Sequence, residues 1–153
     1  MINNYKILIV DKNNKGEKNM GMVIRSRKDV DRVAVKNIHG GTGKCIVRQL
    51  LGQAPRIKEL PGHPEDFKTC LAFFHHSILE KGATIGRHPQ GNSDEIYYIL
   101  KGNGEITVDG ETTELGPGDI CLTQAGSYHS FKNTGSEDID FIVVAASTEK
   151  GKI

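Results

Sequence analysis

Between Lys81 and Asn133 the chain alternates short β-branched and aromatic runs with glycine-containing turns, a rhythm that specifies antiparallel β-sheet. The run Glu95-Ile96-Tyr97-Tyr98-Ile99-Leu100 is strand-forming in composition and length, and Gly102 follows it. Side chains alternate across a strand, so Glu95, Tyr97 and Ile99 share one face while Ile96, Tyr98 and Leu100 share the other. Asp109-Gly110, between Thr107-Val108 and Glu111-Thr112, suits the two positive-φ positions of a type I′ hairpin turn.

Similar patterns extend to both sides. Strands are predicted at residues 5–10, 20–25, 31–35, 45–51, 69–79 and 139–146. His39-Gly40-Gly41-Thr42-Gly43-Lys44 superficially suggests a phosphate loop. Ile38 and Cys45 occupy positions where that motif needs Gly and Ser or Thr, so the segment reads as a tight turn. Residues 52–68 are loop-rich, and Pro64-Glu65-Asp66 could open one helical turn within them. A length of 153 residues fits one domain. It divides into N-terminal strands and a loop (1–68), a β core (69–146) and a polar tail (147–153).

Within this β framework, His88 and Gln90 lie two apart and leave the same face of a strand. Glu95 opens the next strand, and His129 shares a face with Phe131 on a later one. If the sheet closes into a barrel, all four can reach one interior point. Two imidazoles and a carboxylate suit a divalent first-row metal (Fe, Mn, Co, Ni or Zn), and the Gln90 amide oxygen is a weaker, neutral donor. Tyr97, on the Glu95 face, is a candidate acid or base. His75 and His76 point to opposite faces, so only one looks inward; that one is a candidate proton shuttle, or else a hydrogen-bonded core histidine.

These residues fall in a recognisable pattern. Gly82, His88, Gln90, Glu95 and Gly102 match the first motif of the cupins, which is Gly, five residues, His-x-His, three or four residues, Glu, six residues, Gly. Gly118, Gly126, His129 and Asn133 match the second, Gly, five residues, Pro-x-Gly, two residues, His, three residues, Asn. Gln90 replaces the second histidine, and Gln124 stands where proline is expected. The chain thus resembles a small single-domain cupin. The resemblance implies an all-β, double-stranded β-helix or jelly-roll barrel with extra N-terminal strands, and a metal held by His88, Gln90, Glu95 and His129. It also implies a small-molecule ligand, a homodimer, and functions among the dioxygenases, isomerases and lyases. A metal-independent isomerase or dehydratase and a non-catalytic ligand-binding cupin are the alternatives.

The remaining composition narrows the partners. Residues 1–58 carry 13 Lys/Arg against 4 Asp/Glu, and residues 59–153 carry 7 against 15. The positives are interspersed with strand segments and show no basic-aromatic pattern. They therefore read as a face that packs on the acidic half, in the same subunit or a partner, and not as a nucleic-acid arm. No apolar run is long enough for a membrane helix. The opening residues lack the order of a signal peptide. Three widely spaced cysteines (Cys45, Cys70, Cys121) suggest free thiols in a reducing cytoplasm.

Overall fold

The computed structural model describes residues 22–149. The strand expected at 5–10, and the first residues of that expected at 20–25, lie outside them. Ten strands follow in order: β1 (Val33–Lys36), β2 (Lys44–Gly52), β3 (Leu71–Leu79), β4 (Thr84–Pro89), β5 (Ser93–Lys101), β6 (Gly104–Val108), β7 (Glu111–Leu115), β8 (Ile120–Thr123), β9 (Tyr128–Asn133) and β10 (Ile139–Ser147). One sheet runs β1-β2-β3-β10-β5-β8 and the other β4-β9-β6-β7. Every pairing in them is antiparallel. The protein is an all-β jelly roll, as the cupin resemblance implies. Among the described residues no helix is long and apolar enough to cross a membrane.

The two sheets face one another across an apolar core built by alternation. On β10, Ile139, Phe141, Val143 and Ala145 are buried, while the residues between them are only partly so. Phe141 packs on Tyr97 and Phe131, with ring centroids 5.3 and 5.5 Å away. Each such fully buried side chain contributes about 1.5–3 kcal/mol by leaving water. The hairpin joining β6 to β7 turns on Asp109 (φ 49) and Gly110 (φ 95), the two positive-φ positions of a type I′ turn.

The N-terminal strands β1 and β2 are hydrogen-bonded into the larger sheet instead of forming a separate layer. The charge split is expressed in specific contacts. Arg25 makes a bidentate ion pair with Asp66 at 2.6 and 2.8 Å, and Asp66 also accepts the Gly52 N–H at 2.9 Å. Lys44 pairs with Glu80 at 2.7 Å. Asp66 belongs to the helical turn Pro64–Asp66, so its bonds tie the connecting loop 53–70 to Arg25 and to the end of β2.

Candidate metal centre

His88 stands on β4 and His129 on β9, directly opposite each other in the register of that pair. Opposed residues of an antiparallel pair have Cβ atoms about 4.5–5.5 Å apart, so two inward imidazoles must meet. Their Nε2 atoms lie 3.0 Å apart. Each ring is fixed through its other nitrogen. His88 Nδ1 donates to the Gly86 carbonyl at 2.9 Å, and His129 Nδ1 lies 2.8 Å from the Thr123 hydroxyl oxygen. With Nδ1 of each ring so engaged, both Nε2 atoms face a common point. Thr123 reaches His129 because β8 pairs with β5, where Thr123 lies opposite Glu95.

Glu95 completes the cluster from β5, with Oε1 3.7 Å from His129 Nε2. One ligand atom from each of His88, Glu95 and His129 falls within 4.8 Å of the others. Gln90 is buried beside them, its amide nitrogen 2.8 Å from His129 Nε2 and 3.4 Å from His88 Nε2. Turned over, the same amide presents its oxygen to that point.

This donor set fits a divalent cation. Two nitrogens bound to one ion at about 2.1 Å and at a right angle stand about 3.0 Å apart. Two buried imidazole lone pairs that close repel unless a positive charge lies between them, and protonation is costly here. Burial, then the neighbouring His88 and His39, lowers His129 to about 3. Burial also lowers His88. The Glu95 carboxyl is pushed up to about 7 by its own burial, against the opposing pull of Arg56, Tyr97 and Gln90. A metal ion held by His88, Glu95 and His129 would supply that positive charge.

The cluster opens on a cavity of about 50 Å³, whose lining includes His39, Arg56, His75, Ser77 and Tyr97. Tyr97 is fully buried, and its hydroxyl bonds to Glu95; burial, then the Glu95 charge, raises it well above the usual tyrosine range, so it remains a donor. His75 faces the cavity. His76 lies on the opposite face of β3, held by the Asp140 carboxylate and, at 3.3 Å, the Arg48 guanidinium.

Arg56 and His39 join the site unannounced by the sequence. Arg56 donates to the Pro89 carbonyl and lies over Gly91, where an added Cβ would be 3.1 Å from its guanidinium. Among the described residues it is the one lysine or arginine lining the cavity. Its only sequence signal was its place in the proline-rich loop. His39 takes a left-handed conformation (φ 53) and stacks on His88 with centroids 3.8 Å apart. A histidine in a glycine-rich turn carries no such signal.

Comparison with known proteins places this geometry in a family. The cupin domain model matches residues 75–145, the segment that carries every member of the metal cluster. The oxalate-binding protein of Thermotoga maritima is 32% identical over 124 residues, which are 81% of this chain and 93% of that protein. The crystal structure of a predicted oxalate decarboxylase from Thermotoga maritima superposes with a TM-score of 0.70 at 30% identity, covering 82% of this chain and 99% of that one. A 5-nitrosalicylic acid 1,2-dioxygenase from Bradyrhizobium is 34% identical over 67 residues, 44% of this chain but only 32% of the dioxygenase. The strand order, the motif positions and these relatives agree: the chain belongs to the cupin family.

Proposed function

We propose that this cupin holds one divalent first-row transition metal (Fe, Mn, Co, Ni or Zn) and uses it to bind and transform a small organic acid inside the barrel. The observation that carries the reading is the meeting of His88 Nε2, His129 Nε2 and Glu95, with both Nδ1 atoms already committed. A metal bound there supplies a Lewis acid for an acid's oxygens. Arg56 provides the cavity's fixed positive charge and a fork suited to a carboxylate. Tyr97 keeps Glu95 oriented and offers it a phenolic donor. The cavity's volume corresponds to a handful of water-sized groups, which favours acids of a few heavy atoms. The oxalate-binding relative supports the same ligand class.

Elemental analysis of protein purified without chelator or metal-affinity resin, followed by calorimetry with oxalate, tests the reading. Near-stoichiometric metal and metal-dependent oxalate binding are expected. Metal-free protein that stays empty after incubation with each ion would sink it. The raised Glu95 carboxyl beside Tyr97 and Gln90 would then favour the second reading, metal-independent acid–base chemistry in the same cavity.

Gln90 tunes the centre. A neutral amide oxygen is a weaker ligand than imidazole, so Gln90→His is expected to tighten Zn(II) or Ni(II) binding by about tenfold or more. Competition titration with a chromogenic chelator checks it; unchanged affinity would mean that residue 90 does not coordinate.

The chain is further proposed to work as a cytoplasmic homodimer. All three cysteines are free. The outer face of β5 and β8 exposes Tyr98 (40%), Leu100 (46%), Ile120 (63%) and Leu122 (51%), with Tyr98 opposite Ile120 in the register. An apolar patch of this kind suits a second copy. Light scattering is expected to give twice the 16.8 kDa chain mass, and Ile120→Asp to give monomers. A monomeric wild type at micromolar concentration would contradict the dimer.

A further inference from the structure

The same cavity carries a second polar group that the metal cluster does not use. His75, Val143 and Tyr97 form one cross-strand row on the inner face of the larger sheet, through the pairings of β10 with β3 and with β5. His75 therefore stands two strands away from the Tyr97 column, on wall that is otherwise mainly apolar, with Val47, Phe73 and Phe141 around it. A buried imidazole in such a wall needs a reason to be there.

The ring is held in one orientation. It stacks on Phe73 with centroids 4.8 Å apart and planes 14° from parallel. Its Nδ1 lies 3.1 Å from Ser77 Oγ, and Ser77 Oγ in turn bonds the Cys45 thiol. Burial pushes the Cys45 thiol up to about 12, so it keeps its proton. With Nδ1 engaged by Ser77, Nε2 is the ring nitrogen left to the cavity. His75 is fully buried, and desolvation lowers it to about 3, so it stays neutral at physiological pH.

We propose that His75 is the specificity-determining residue of the pocket. The Ser77 hydroxyl donates to His75 Nδ1, and the ring's Nε2–H donates to an oxygen at the end of the bound acid remote from His88, Glu95 and His129. The pocket thereby selects acids with a second oxygen function over plain monocarboxylates. This rests on the metal-and-acid function proposed above, but its failure can be told apart from the failure of that function.

The test compares malonate with propionate, acids of equal carbon number that differ in the distal oxygens. Their affinities are measured by calorimetry on metal-loaded wild type, His75→Phe, His75→Gln and Ser77→Ala, with metal content assayed in each. Because His75 is neutral, replacing it leaves the attraction of metal and Arg56 for charge alone. In His75→Phe the malonate-to-propionate preference should fall about tenfold, the order expected for one lost hydrogen-bond donor. Metal content should not change. His75→Gln, which keeps a donor, should recover part of the preference, and Ser77→Ala should lower it by freeing the tautomer. An unchanged preference in both His75→Phe and Ser77→Ala, with metal retained, overturns the inference alone. Loss of metal in His75→Phe also overturns it, by placing His75 within the metal centre. Failure of metal-loaded wild type to bind either acid overturns it together with the proposed acid function.

Discussion

His129→Ala is expected to strip the protein of metal. His129 is 1% exposed, supplies one of the two converging Nε2 atoms, and stands between Glu95, His88 and Gln90. Loss of a group that merely orients a metal ligand costs about 10–100-fold in affinity, and loss of the ligand itself should cost more. Elemental analysis should therefore find metal near stoichiometry in the wild type and almost none in the variant. The variant also leaves a hole beside Tyr97, whose ring centroid is 5.2 Å from that of His129. Some loss of stability, on the order of 2 kcal/mol, should accompany the loss of metal. Full metal occupancy in a folded His129→Ala protein would refute the cluster as the binding site.

Gly86→Ala should be strongly destabilising although it adds only one methyl group. A Cβ at Gly86 would lie 2.2 Å from the His39 carbonyl oxygen and 2.7 Å from the Gly41 nitrogen, both backbone atoms without freedom to swing away. The turn holding His39 and the strand holding His88 would have to separate. A cost of about 3 kcal/mol is expected, which for a chain of this length lowers Tm by about 10 °C. The effect should extend to the metal, because the Gly86 carbonyl fixes His88 Nδ1 and the His39 ring stacks on His88. Thermal unfolding and metal titration together check both parts. A variant with wild-type Tm would mean that this close approach of turn and strand does not matter.

The sequence made the local half of this site legible. Glu95 and Tyr97 turn inward and Tyr98 and Leu100 outward, as the two-residue period of β5 requires. His88 and Gln90 share a face, and both are buried. The Asp109-Gly110 turn occurs where its dipeptide demands it. Each of these depends on neighbours a few residues away, and so can be read from a short stretch of chain.

The identity and number of inward-looking groups were another matter. His75 and His76 were certain to oppose one another, but alternation does not say which face of a strand becomes the inside. That choice was made when β3 settled between β2 and β10, turning His75 to the cavity and His76 to Arg48 and Asp140. Thr123 became the partner of His129 through the pairing of β8 with β5, and Arg56 entered the cavity from a loop. His39 came to His88 through a turn 49 positions earlier in the chain. Sequence alone determined the all-β framework, its alternating faces and the residue types able to hold a metal, because backbone geometry and side-chain chemistry are local properties. Only the tertiary structure decided which of those side chains meet, because the register between distant strands is set by how two whole sheets bury their apolar faces together.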